Sequence, residues 1–429
     1  MPARLALPVL LLAAAAGGCT VGAPAAGTAG SPPAEEPTGS ERQIAKAPVA
    51  SPSGADDPAR ERASWTVFVY ANGDNGRSAE LEADLARMND AALGEDVHVV
   101  VLADWNADLV DAEGRHFPSG SDWMTLPGSG VAPAVHREKE LDLDDPAVLR
   151  GAVARAYREH PAERRGLIVW ARGEAGDTQD GTRAGASAMA TSAMASAVRD
   201  GLADAGIAAP LDVIGFDSYA HPRVETAYAM RDAARVFIAN RAEDDGTSWA
   251  YADGLEFLAR TPAASGAGFA SFEAAVAGAR GGRPHGAIET GRLDALATAT
   301  ASLVDTIAAR PVVLPRVVDA IAFAASGSEG RAPSYARFAS ELARTAGDAA
   351  VTTAAEQVEA ALADVAIQAP GAVPDDLGLG LPFDASPESV AAYLEMARAW
   401  CGRTRWNALL AAFAMGSAGD PDDEPSTLP

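Results

Sequence analysis

Cysteine is nearly absent from this 429-residue chain, which carries only Cys19 and Cys401. Two isolated thiols exclude a disulfide framework and a cysteine-rich metal site. Basic residues are scarce as well. Lys and Arg total 34 against 59 Asp and Glu, and the net charge of -25 repels nucleic-acid phosphates and anionic lipid head groups. Nucleic-acid binding is excluded on that ground, while basic peptides remain compatible partners. The apolar run from Leu5 to Ala16 is too short to span a bilayer, and no repeat of fixed period is visible. What is present is a 48% hydrophobic composition, enough to exclude global disorder and to bury the core of one large or two ordinary domains.

The first segment, MPARLALPVLLLAAAAGGC, has one basic residue, Arg4, an apolar run, and the small residues Ala16, Gly17 and Gly18 before Cys19. It resembles the export signal of a bacterial lipoprotein, with residues 1–18 as signal peptide and Cys19 as the lipidated first residue of the mature chain. Thr20 follows Cys19 where Asp would favour inner-membrane retention, so the expected location is the bacterial cell envelope, lipid-anchored at the outer membrane. Residues 20–63 contain no aromatic residue and no apolar period. With Cys19 they read as a disordered linker, because such a segment cannot bury enough surface to offset its ordering entropy.

From Ser64 onward the pattern changes. WTVFVYANG (65–73), VHVVVLADW (97–105), RGLIVWARG (165–173), LDVIGFDSYA (211–220) and RVFIANRAE (235–243) read as strands, with a helix from Ser78 to Leu93. Continuous apolar strands separated by helices predict an α/β domain over residues 64–260, with a mostly parallel sheet covered on both faces and a site beyond the strands' carboxyl ends. Residues 108–143 read as a hairpin insertion. Residues 261–415 read as mainly helical apart from a strand at LGLGLPFDA (377–385), and residues 416–429 as a disordered acidic tail.

Four segments then resemble, in order, the clostripain family of caspase-like cysteine peptidases. WTVFVYANGDN (65–75) is similar to the opening strand and its turn, and ELEADLARMN to the first helix. GLIVWARGEAG (166–176) is similar to the strand ending in Trp-x-His-Gly, and LDVIGFDSYA (211–220) to the strand ending in Gly-Phe-Asp-x-Cys. HGAIETGRLDAL (285–296), LGLGLPFDA and TRWNALLAAF (404–413) resemble the family's helical region, late strand and C-terminal helix. The resemblance implies a three-layer caspase-like α/β fold with a helical C-terminal portion packed on it, and no cofactor.

It also places Arg172 at the catalytic His position and Tyr219 at the catalytic Cys position. Arg stays protonated at physiological pH and cannot act as a general base. A phenol with a pKa of about 10 is only ~0.1% ionised at pH 7 and replaces no thiolate. Cys401 sits in an apolar helical run and reads as a buried small hydrophobe. Ser218 with His221 as base is the remaining nucleophile pair. Asp217, two residues before the lost Cys, is implied by the resemblance as a selector for basic side chains at the cleft mouth, and a turn or N-cap role is an equal alternative.

Gly173 and Gly215 read as tight-turn positions. Glu243, Asp244 and Asp245 read as an acidic rim or a solvated loop. Glu174 or Asp177 is placed to neutralise Arg172. Asp74, Asp104 and Asp108 all follow strand ends, where a Ca²⁺ site is conceivable, but their spacing is not that of a metal motif and no metal is expected. The function these features favour is a catalytically inactive peptidase homologue that binds a peptide or protein partner, one with basic residues, in an acidic cleft. An active hydrolase and an envelope scaffold without a cleft function are the alternatives.

The anchor yields the first prediction. Cys19→Ser is expected to release the protein from membranes, scored by fractionation. Unchanged membrane association, with no lipid on the mature N-terminus by mass spectrometry, would reject it.

Overall fold

A computed structural model describes residues 62–74, 77–111, 114–171, 189–218, 223–239, 249–279, 286–326, 333–367 and 393–410. Strands β1 (Ala63–Gly73), β2 (Val97–Trp105), β5 (Ala162–Ala171), β6 (Val213–Ser218) and β7 (Val236–Ala239) pair in parallel. The sheet order is β4-β3-β2-β1-β5-β6-β7-β8, closed by antiparallel strands at both edges. The edge pair β3 (Ser121–Leu126) and β4 (Ala134–Arg137) is the hairpin anticipated in residues 108–143. At the other edge lies β8 (Gly286–Glu289), antiparallel to β7.

The parallel strands are buried on both faces, which is why they read as unbroken apolar runs. Side chains alternate. Phe68, Tyr70, Val100 and Leu102 point into one core, whereas Trp65, Val69, Val101 and Trp105 point into the other. Helices α1 (Ser78–Asp90), α5 (Tyr251–Arg260) and α6 (Gly266–Ala279) cover the second face, with Leu81, Leu85, Leu258 and Phe269 buried there. The first face is covered by α2 (Pro146–Glu159), α3 (Thr191–Asp204) and α4 (Val224–Met230). It also carries the helical layer α7 (Leu293–Ala308), α8 (Leu314–Ser326), α9 (Tyr335–Thr345) and α10 (Ala349–Val365). Burying each large side chain, such as Trp65 or Phe68, contributes about 2–3 kcal/mol, so two continuous cores hold the three layers together. Local signals set the boundaries: α2 starts where Asp145 accepts a hydrogen bond from the Ala147 backbone N–H at 2.8 Å, with Pro146 in its first turn.

Two expectations change. The HGAIETGRLDAL segment is not helical throughout, because Gly286–Glu289 forms β8 and the helix begins at Leu293. A four-residue strand is too short to show a period, and only pairing with β7 creates it. The sheet therefore continues past residue 260, and the helices after it pack on the same core, as a helical portion packed on the α/β domain would. The expected strand at 377–385 and the tail at 416–429 lie outside the described residues. No helix among the described residues is long and apolar enough to cross a membrane.

At the amino ends of the strands, His98 of β2 and His160, which follows α2, pack edge to face with ring centroids 5.3 Å apart. Burial holds both imidazoles below the ordinary value of 6.5, and for His160 the neighbouring His98 adds to the effect. A depressed histidine pKa favours the folded state above the unfolded value, and that contribution disappears as pH falls through it. Thermal melts between about pH 7 and about pH 5 should therefore show a steeper loss of stability in the wild type than in His98→Gln. Equal slopes would reject the assignment.

Candidate functional site

The register of the parallel strands determines which residues meet at the carboxyl edge of the sheet. Gly73 of β1 lies opposite Trp105 of β2, and Ala171 of β5 opposite Ser218 of β6. Arg172 and Tyr219 are the next residues along those two chains and lie outside the described residues, as do Gly173, Glu174, Asp177, His221, Glu243, Asp244 and Asp245. Ser218 is described as the last residue of β6. Its side chain lies outside the description.

Asp217 lies in β6 opposite Trp170 and is fully buried on the face covered by α5. Its Oδ2 accepts a hydrogen bond from the Tyr251 hydroxyl at 2.5 Å. Tyr251 opens α5 and stacks on Trp249 at 6.1 Å and 22°. The rim of the Trp249 indole in turn presses on Gly215, where a Cβ would come within 2.2 Å of the ring. Gly215 therefore serves a close approach, as anticipated, and the approach is to an aromatic ring. The cause of the burial is the strand period: residue 217 shares the face of 213 and 215, which α5 covers.

Two more buried carboxylates on this side are held by indole N–H donors. Trp170 Nε1 donates to Asp84 Oδ2 at 2.8 Å, and Arg87 pairs with the same carboxylate. Trp105 Nε1 donates to Asp122 Oδ2 at 3.0 Å, with Arg137 as the second partner. Such partners are what make a buried carboxylate tolerable, since each unpaired one would cost about 3–5 kcal/mol.

An acidic group lies at the ends of β1 and β2, with Asp74 and Glu140 exposed and Asp104 buried beside them. Oxygens of Asp74, Asp104 and Glu140 lie within 4.8 Å of one another. Burial raises the Asp104 pKa to about 7. The Ser121 hydroxyl, donating at 2.8 Å, opposes the rise, and Glu140 and Asp74 add to it. Tyr70 nearby is raised by burial and by Asp144, Asp104, Asp142 and Asp145. Three carboxylates of this kind supply part of the oxygen shell a divalent cation takes. Of the sequence candidates, Asp74 and Asp104 meet, whereas Asp108 is exposed in a turn and is not part of the group. Glu140 arrives with the strand-hairpin insertion, and no sequence signal marked it.

The remaining nucleophile and base candidates are dispersed. Cys401 is buried beside Tyr393 and Glu225 in the helical layer, and burial, aided by Glu225, pushes its thiol up to about 12. At neutral pH it is neither a nucleophile nor a ready target of alkylation. His98 and His160 lie at the opposite end of the strands, and His116 and His136 belong to the loop after β2 and to β4.

A mostly parallel sheet between two helical layers defines a caspase-like α/β protein. The clostripain family model matches residues 69–276, and over that stretch the chain belongs to the clostripain family. Among solved structures, an inactive protease zymogen of this family from Parabacteroides distasonis superposes with a TM-score of 0.59 at 16% identity. The match covers 80% of this chain and 98% of that one. A secreted cysteine protease of the family from Bacteroides thetaiotaomicron, in complex with an irreversible peptide inhibitor, gives 0.56 at 17% identity, covering 81% and 100%. At these identities the likeness is one of fold. No curated protein sequence matches the chain significantly.

The tight seat of Trp249 on β6 can be tested directly. Gly215→Ala should destabilise the protein by about 1–3 kcal/mol through overpacking against the indole, measured by urea denaturation with tryptophan fluorescence. An unchanged midpoint would show that Trp249 is free to move.

Proposed function

We propose that this protein is a clostripain-family member without peptidase activity, which binds a peptide or protein partner at the carboxyl edge of its sheet and is held at the cell envelope by lipidated Cys19. The observation that carries this reading is the pairing of Ala171 with Ser218. It supports the reading in which Arg172 and Tyr219, the residues directly after two adjacent strand ends, occupy the positions that the resemblance assigns to the family's imidazole and thiolate. Neither residue performs the chemistry: the guanidinium accepts no proton, and the phenol is a poor nucleophile at neutral pH. The buried Cys401 thiol offers no substitute.

The acidic groups at the ends of β1 and β2, with the overall charge of -25, favour a partner carrying basic residues. Partner recognition survives the loss of catalysis because it needs only the surface at the strand ends and its charge.

The test is a fluorogenic assay of the purified protein with Arg- and Lys-amide substrates. Loss of a nucleophile and base pair typically removes on the order of 10⁴- to 10⁶-fold in rate, so no turnover above background is expected, and thiol alkylation should change nothing. Turnover that disappears in Ser218→Ala would identify a serine hydrolase instead. Turnover abolished by alkylating Cys401 would place the active site elsewhere.

A further inference from the structure

We propose that Tyr251 is a specificity-determining residue that closes Asp217 to basic side chains. This rests on reading the β5 and β6 strand ends as the docking site. The Tyr251 hydroxyl donates to Asp217 Oδ2 at 2.5 Å, and a guanidinium or ammonium group would have to compete for that oxygen. Asp217 is fully buried, and Tyr251 itself is only 2% exposed. The phenol is not a mobile side chain covering a pocket. Its ring stacks on Trp249, Trp249 is seated on Gly215, and α5 is fixed to the sheet by Leu255 and Leu258. Each contact would be disturbed by swinging the phenol away, so the donor is held in place before any partner arrives.

The phenol satisfies one oxygen of the buried carboxylate and packs directly against it, so an incoming basic group has to displace that bond and that ring. The consequence is a division of labour at the strand ends. Any preference for basic residues resides with Asp74, Asp104 and Glu140 beyond β1 and β2, and the partner needs no Arg or Lys at the position facing β6.

The probe is benzamidine, an aromatic amidinium, compared with neutral benzamide of the same shape. Melting temperature and tryptophan fluorescence, to which Trp249 contributes among seven tryptophans, are read for the purified protein. The wild type should respond to neither compound. Tyr251→Ala leaves a phenol-sized space next to the carboxylate; it should melt lower than the wild type, recover by about 2 °C or more with millimolar benzamidine, and ignore benzamide. Adding Asp217→Asn should abolish the recovery. If Tyr251→Ala does not fold, Tyr251→Ser leaves comparable space and answers the same question.

A wild-type response to benzamidine that Asp217→Asn removes would overturn the proposal, because Asp217 would then be open despite Tyr251. A folded Tyr251→Ala that responds equally to both compounds, or to neither, would overturn it too. The outcome is independent of the peptidase assay: turnover there leaves this cap in place, and failure here leaves the loss of catalysis untouched.

Discussion

The parallel ladder joining β2, β1, β5 and β6 is the constraint on which the other features depend. Its backbone bonds align Gly73 with Trp105 and Ala171 with Ser218, so four strands finish along one edge of the sheet. Because these strands are buried on both faces, a slip of one residue would turn every apolar side chain into the wrong layer, and the two cores prevent it. The register of this edge follows from the ladder and the two cores, so the scaffold does not depend on which residues follow the strand ends.

On the face covered by α1, α5 and α6, the buried carboxylates of Asp84, Asp122 and Asp217 are each held by an aromatic donor. Trp170 holds Asp84, Trp105 holds Asp122, and Tyr251 holds Asp217. Indole and phenol suit this role because their rings contribute to the apolar core while their single N–H or O–H satisfies an oxygen. Arg87 and Arg137 add charge to the first two pairs from partly exposed positions. These contacts also tie helices to strands: Asp84 lies in α1 and Trp170 in β5, Tyr251 in α5 and Asp217 in β6. The polar bonds fix how the layers seat, and the apolar contacts supply most of the stabilisation.

Several elements were legible in the sequence because their signals are local. The β1, β2 and β5 runs were unbroken apolar stretches, the hairpin announced itself by polar residues around DWMTLPG, and buried Cys401 followed from its apolar helical setting. Other features were not legible. β8 is four residues long and exists only because β7 pairs with it. Glu140 joins Asp74 and Asp104 across a separation in sequence that no spacing rule anticipates, and Asp108, much nearer in sequence, does not.

By itself the sequence determined the fold class and the strands that form the centre of the sheet, and it carries Arg172 and Tyr219 where the resemblance places the family's His and Cys. Those are matters of residue type and period, which the chain carries locally. The fate of Asp217 was decided only by tertiary structure. Whether a carboxylate next to a strand end faces a partner or the core depends on which helix covers that face, and α5, arriving 34 residues later in the chain, places the Tyr251 hydroxyl on it.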